Sequence, residues 1–262
     1  MADVRDDLTA ALTDPDPVRR AQIQMLKPLP KRFYSEVSVE AADQGFAIHL
    51  DGRSVKTPTK NLLVVPTHAA AELLRAEWAA QTDVIDPSSM PVTRLANTAL
   101  DGIAQDPQAV IDDIVRFAGT DMICYRADQP QELVSLQDER WGPVLAWAAE
   151  TYCARFILAQ GVMHQTQPPE AIDAFRKAIA RYQQPLALAA LHTVTTLTGS
   201  ALLSLALVEQ RLDADEAWAL AHVDEDWNVQ LWGSDEEAEL RRAHRWKDMQ
   251  AAAKVLSALR VG

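Results

Sequence analysis

The hydrophobic period changes once along this chain, at Pro66, and that change limits the folds open to it. Before it, Val37 and Val39 alternate on one face of a first strand, and Phe46, Ile48 and Leu50 on one face of a second. Asp51-Gly52 supplies the two positive-φ residues of a tight hairpin, leading to a third strand over 53–57 and a short apolar fourth over 62–65. After it the spacing is helical. Leu74 and Trp78 lie four apart, Val110, Ile111, Ile114, Val115 and Ala118 follow an Asp106-Pro107 start, and Ile172, Phe175, Ile179 and Tyr182 follow Pro168-Pro169. Asp213-x-x-Glu216 and Ser234-x-x-Glu237 each read as a helix start, with Trp232-Gly233 as a turn. The expected fold class is α+β: a polar leader at 1–30, a small antiparallel β-rich domain at 31–66 and a larger, mainly α-helical domain at 67–262.

Residues 186–208 carry no formal charge and are long enough to span a bilayer. His192, Gly199, Ser204 and the hydroxyls from Thr193 to Ser200 lower their hydropathy, so a buried helix pair or bent central helix is the expected form. The alternative is a membrane anchor. The leader, Met-Ala-Asp-Val-Arg-Asp-Asp followed by Asp-Pro-Asp-Pro, has neither an apolar signal core nor the Arg-rich character of a transit peptide, and reads as that of a bacterial cytoplasmic protein. Cys124 and Cys153 stand in no Cys-x-x-Cys or Cys/His cluster, in keeping with a reducing compartment.

Net charge is −12 and evenly spread: 13 basic against 19 acidic side chains in residues 1–131, and 12 against 18 in the rest. Such a surface repels nucleic acid and anionic lipid. It favours a basic or amphipathic protein partner.

The glycine-rich nucleotide and dinucleotide motifs, Gly-x-Ser-x-Gly and His-Glu-x-x-His are absent from the sequence. Of the histidines only His222, four residues before Asp226, has ligand spacing, and two ligands make no closed site; a surface pair accounts for them. Asp51 and Asp121 can be read as catalytic acids or, with fewer assumptions, as turn and cap residues. The segment 213–239 holds ten acidic residues, no Lys or Arg, and Trp218, Trp227 and Trp232. It is either a solvated helical face or a recognition surface, in which tryptophan supplies contact area and carboxylates select a cationic partner.

Ordered words then point to a family. They are Lys31-Arg32-Phe33-Tyr34, Leu50-Asp51-Gly52-Arg53 with Lys56-Thr57-Pro58, Glu77-Trp78 with Gln81, Met90-Pro91 with Thr93, Asn97-Thr98-Ala99 with Asp101, and Thr120-Asp121 with Tyr125-Arg126. Gln137 with Trp141, Pro143 with Trp147, Gly199-Ser200, Asp224-Glu225 and Trp232-Gly233 with Glu236 continue the series. Over about 31–240 the chain resembles the mitochondrial and alpha-proteobacterial F-type ATP synthase assembly chaperones. It departs from their pattern at Trp227-Asn228, Glu237 and Glu239.

The resemblance implies the two-part fold above and a chaperone, not an enzyme, that binds the free alpha subunit of the catalytic head until the beta subunit pairs with it. It implies no cofactor and no metal, no nucleic acid and no membrane insertion, and a monomer. The site residues carried over are Glu236, Glu225, Trp232, Gly233, Asp121, Gln81 and Trp78. Trp78 is expected to join the two domains, Gly233 to permit a turn, and Glu236 either to touch the client or to cap a helix. The competing class is an enzyme with Asp121 or Glu236 as acid or base in a cleft between sheet and helices.

Overall fold

The computed structural model describes residues 28–161 and 165–260. Most of the expected leader, and His164, lie outside the described residues. The described residues fall into two compact units, 28–33 with Ala80–Asp86, and Tyr34–Ala79 with 87–161 and 165–260. In the first, an antiparallel bridge joins Lys31 and Val84, flanked by Arg32 N–H to Asp83 carbonyl (2.9 Å) and Ile85 N–H to Pro30 carbonyl (2.8 Å).

The second unit opens with the antiparallel sheet. Strands β1 (Val37–Ala42) and β2 (Gly45–Leu50) pair with Val37 opposite Leu50 and Val39 opposite Ile48, so the expected apolar faces coincide. Asp51 (φ 47°) and Gly52 (φ 77°) make the turn. The Asp51 carboxylate also accepts the amides of Ser35 (3.1 Å) and Glu36 (2.8 Å). Strands β3 (Arg53–Ser54) and β4 (Val64–Val65) are shorter than expected because they share one edge of β2: β3 takes His49–Leu50 and β4 takes Phe46–Ala47. Between them a bridge joins Lys56 to Leu62, and the Val55 amide donates to the Ile48 carbonyl (2.8 Å) while the Leu63 amide donates to the Val55 carbonyl (3.0 Å).

Helix α1 (His68–Ala79) packs on β1 and β2, burying Ala70, Ala71 and Leu74. Its Glu77 then caps a second helix from outside: the carboxylate accepts the Val92 and Thr93 amides (2.7 and 2.8 Å) and the Thr93 hydroxyl (2.8 Å) at the start of α2 (Pro91–Asp101). Met90, the residue in the capping position, makes no side-chain cap. Burial drives the Glu77 carboxyl above its ordinary range, against the pull of these three bonds. Glu77→Ala is therefore expected to cost about 1–3 kcal/mol, read as a lower urea midpoint. A loss within error would mean that water replaces the carboxylate.

At its far end α2 returns to the sheet. Asp101 accepts the Thr57 and Thr59 hydroxyls (2.5 Å each), the Thr59 amide (3.2 Å) and the Asn61 amide nitrogen (3.1 Å). Desolvation works upward on its carboxyl, but the bonds from Thr57, Thr59 and Asn61 outweigh it and hold it below the usual range.

The uncharged stretch is a helix pair. Helices α3 (Pro107–Ala118), α4 (Gln131–Tyr152) and α5 (Pro169–Ile179) precede it; Asp106 caps α3 through the Ala109 amide (3.1 Å). Then α6 (Pro185–Thr198) buries nine side chains and α7 (Ala201–Val208) all eight, with Gly199 at φ 68° turning the chain between them. Ser200 caps α7 through the Leu203 amide (3.0 Å), and the Ser204 hydroxyl accepts from Thr195 (2.9 Å) while donating to the Ala201 carbonyl (2.8 Å). No helix among the described residues is long and apolar enough to cross a membrane. Helices α8 (Ala214–Ala221), α9 (Val223–Trp232) and α10 (Glu236–Ala258) close the chain, α10 packing on α6 and α2.

Candidate functional site

The acidic, Trp-bearing segment becomes α8, α9 and the first turn of α10. Asp213 and Glu216 form the expected reciprocal box at the start of α8: the Asp213 carboxylate accepts the Glu216 amide and the Glu216 carboxylate the Asp213 amide, both at 2.8 Å. The second start is shifted by one residue. Asp235, not Ser234, is the cap of α10, accepting the Glu237 amide at 3.2 Å. A carboxylate there adds charge attraction to the helix N-terminus, which a serine hydroxyl lacks.

Helix α9 is set apart by what it does not bury. Val223 is its only buried side chain. Polar links hold it: Gln137 on α4 donates to the Asp224 carboxylate (2.7 Å), while its own carbonyl oxygen accepts the Ala127 amide (2.8 Å), and the Arg242 guanidinium pairs with Asp226 from α10. Toward its end Val229 and Leu231 are exposed, and Trp232 is 84% exposed. Leu240, on the first turns of α10, is exposed too. Gly233 (φ 85°) ends α9 in a conformation that L side chains avoid. Glu236 is the first residue of α10 and exposed, as are its acidic neighbours Glu237 and Glu239. The helix hairpin therefore presents apolar side chains among carboxylates.

The structure thus gathers Glu225, Trp232, Gly233 and Glu236 on α9 and the turn into α10, and leaves the other sequence candidates elsewhere. Asp121 is in the core, 0% exposed. It caps a short 3-10 turn through the Ile123 amide (3.2 Å), and its second oxygen reaches the Leu202 amide at the start of α7 (2.9 Å). Burial raises its carboxyl to about 6, against hydrogen bonds from the Ser200 side chain and the Leu202, Ile123 and Ala201 amides. Trp78 sits on the half-buried side of α1, ring to ring with Tyr34 (5.9 Å), whose hydroxyl donates to the Trp78 carbonyl (2.7 Å). Gln81, in the first unit, is buried and accepts the Asp86 amide (2.8 Å) through its side-chain oxygen.

His222 and Asp226 are not the surface pair that their spacing suggests. His222 is buried, its Nδ1–H donating to the Trp218 carbonyl (2.7 Å), and its Nε2 lies 3.7 Å from Glu225; Asp226 belongs to Arg242. The reason is the break between α8 and α9, which turns the imidazole back onto α8. Desolvation lowers the pKa of His222. Among the described residues no three His, Cys, Asp or Glu side chains gather as a metal group.

Sequence reasoning missed three kinds of residue. Val229 and Leu231 gave a signal only in that α9 has no apolar stripe to bury them, and Leu240 only in that it stands among the charged residues that open α10. Arg126 is buried over the Trp141 ring (4.9 Å) and paired with Asp138 (3.1 Å), while the Trp141 indole N–H donates to the Leu220 carbonyl (2.8 Å); their family words had no assigned role. Glu77 and Asp101 were likewise words whose partners, at 92–93 and 57–61, only folding reveals.

Residues 31–149 match the family described as ATP12 chaperone protein. The chain is 22% identical over 251 residues to the mitochondrial protein atp12 of Schizosaccharomyces pombe, covering 91% of this chain and 86% of that one. A crystal structure of a putative chaperone from Agrobacterium tumefaciens superposes with a TM-score of 0.87 at 56% identity, over 97% of this chain and 95% of that chain. Atp12 from Paracoccus denitrificans superposes with a TM-score of 0.83 at 38% identity, over 87% of this chain and 98% of that chain. With sequence and fold agreeing through both the sheet and the helices, the chain belongs to the ATP12 chaperone family.

Proposed function

We propose that this protein binds the free alpha subunit of the ATP synthase catalytic head and keeps it from aggregating until the beta subunit pairs with it. The observation that carries this reading is the exposed apolar group on α9 and α10, Val229, Leu231, Trp232 and Leu240, set among Glu225, Glu236, Glu237 and Glu239. An unassembled subunit of an oligomer exposes interface surface prone to self-association. A chaperone that covers it needs apolar contact area, supplied by Trp232, and a charge pattern that rejects unsuitable partners. The family is one of non-enzymatic assembly factors, and binding and release require no chemistry from the chain. The protein acts in this reading as a cytoplasmic monomer.

Co-expression with the alpha or the beta subunit, followed by pull-down and a solubility assay, tests the proposal. The alpha subunit should be retained and its soluble fraction should rise; if neither happens the reading fails. Glu236→Lys should reduce retention severalfold, since reversal at an exposed rim position acts on encounter and selectivity, while thermal stability changes by no more than a few degrees. A large loss of stability would instead make Glu236 a helix-start residue only.

A further inference from the structure

A groove of about 490 Å³ runs between α4, α8 and α9. Its apolar lining includes Pro143 and Val144 from α4, Leu212 from the loop before α8, Ala219 from α8, and Val223 and Trp227 from α9. The volume is that of a site able to take on the order of three apolar anchors. Apart from Arg211 and Leu212 in the loop before α8 the walls are helices, whose backbone groups are satisfied within themselves, so the groove has no strand edge to offer an extended peptide. An occupant must satisfy its own backbone, and a helix does so.

The charge around the groove sets the sign of that helix. Helices α8 and α9 carry five carboxylates, Asp215, Glu216, Asp224, Glu225 and Asp226, of which Glu216 and Asp226 line the groove, and no Lys or Arg. Glu139 and Arg140 offset each other on the α4 side, Arg211 is the remaining cation of the lining, and Arg242 on α10 pairs with Asp226, so two cations stand against the five carboxylates. The net field is negative, which favours a cationic occupant. A second copy of this chain, itself at −12, would be repelled. The groove is also continuous with the exposed surface described above, since Trp227 and Gln230 line it and Val229, Leu231 and Trp232 follow on the same helix.

We propose that the α4–α8–α9 groove is a docking cleft for a cationic amphipathic helix, which on the reading given under Proposed function is carried by the client subunit. Helix α9 then contributes twice, with Trp227 and Gln230 as one wall of the cleft and Trp232 as an anchor beyond its end.

The test uses the full chain and a synthetic peptide of about 18 residues, long enough for a short helix, with Leu on one face and Lys on the other. Fluorescence anisotropy should show binding that weakens at least tenfold in Ala219→Trp, which fills the cleft from an exposed position, and about threefold in Glu139→Lys. Circular dichroism establishes that both variants fold. A Leu/Glu peptide of the same pattern should not bind. Equal binding of both peptides, no binding of the Leu/Lys peptide, unchanged affinity in Ala219→Trp, or sedimentation of the wild type as a dimer that Ala219→Trp dissociates would each overturn the proposal. Co-expression separates it from the broader reading. If wild type and Ala219→Trp retain the alpha subunit equally, the cleft is not the docking site and the chaperone reading stands. If the peptide binds in the cleft but wild type does not retain the alpha subunit, the cleft stands and that reading of its client fails.

Discussion

Replacing Asp121 with alanine is expected to lower the unfolding free energy by about 3–5 kcal/mol, a large part of what a domain of ordinary stability has to lose. The carboxylate is shared between two elements far apart in sequence: it caps the 3-10 turn at Met122–Cys124 and also serves the Leu202 amide at the start of α7. Removing it leaves buried donors of Ile123, Leu202 and Ser200 without that acceptor, in a site with no access to water. Urea unfolding followed by circular dichroism measures the loss, and a change below about 1 kcal/mol would show that the amides find other acceptors.

The pH dependence of the same group has a definite sign. Because burial raises the native carboxyl to about 6, the folded chain holds this proton more tightly than the unfolded chain does. The associated stability is full below about pH 4, the unfolded value, and fades as pH rises through about 6, by about 3 kcal/mol in all. Asp121→Asn has no proton to lose, so the stability gap between wild type and this variant should be wider near about pH 5 than near about pH 7.5. A gap that widens with rising pH would mean that the ionised form is the one the fold prefers. It would place the native carboxyl below its ordinary range.

The opposite fates of Asp51 and Asp121 show what sequence can convey about this fold. Asp51 lies beside Gly52 between two alternating segments, so its turn role is local and could be read directly. The shortening of β3 and β4 could not, because it arises from competition for the single free edge of β2, a tertiary circumstance. Asp121 was legible as a cap, yet its second partner is 81 residues away, and its depth in the core depends on how α7 is packed. Glu77, Asp101 and Gln137 follow the same rule: each looks like a surface residue in its own helix and proves to be the acceptor or donor that fixes a neighbouring element. His222 failed as a surface residue because a helix break, not a continuous face, lies between it and Asp226. Of the proposed surface, the acidity and the tryptophans could be counted in the sequence. That Trp218 would be buried and Trp232 bare could not, since the two occupy similar acidic surroundings and differ only in whether α10 covers them.

That difference supplies the second large effect. Trp232→Ala is expected to weaken binding of the alpha subunit at least tenfold, in the range of an aromatic interface anchor, while the melting temperature stays within about 2 °C of wild type. Isothermal titration with the purified subunit reads the first quantity and thermal unfolding the second. Trp232 has little fold to support: it is 84% exposed, it stands at the last position of α9, and Gly233 ends the helix immediately after it. Trp141→Ala provides the contrast, because that ring is 0% exposed, lies under the Arg126 guanidinium and bonds the Leu220 carbonyl, so its removal should unfold the protein long before it affects binding selectively. A Trp232→Ala variant that melts early would show the ring to be structural, and one that binds as wild type would remove α9 from the interface. Retention of affinity in Trp232→Phe but not in Trp232→Ala would assign the effect to buried aromatic area rather than to the indole N–H. Carboxylates around an anchor of this kind act on which partner is admitted, so raised salt should shrink the effect of Glu236→Lys and leave that of Trp232→Ala largely intact.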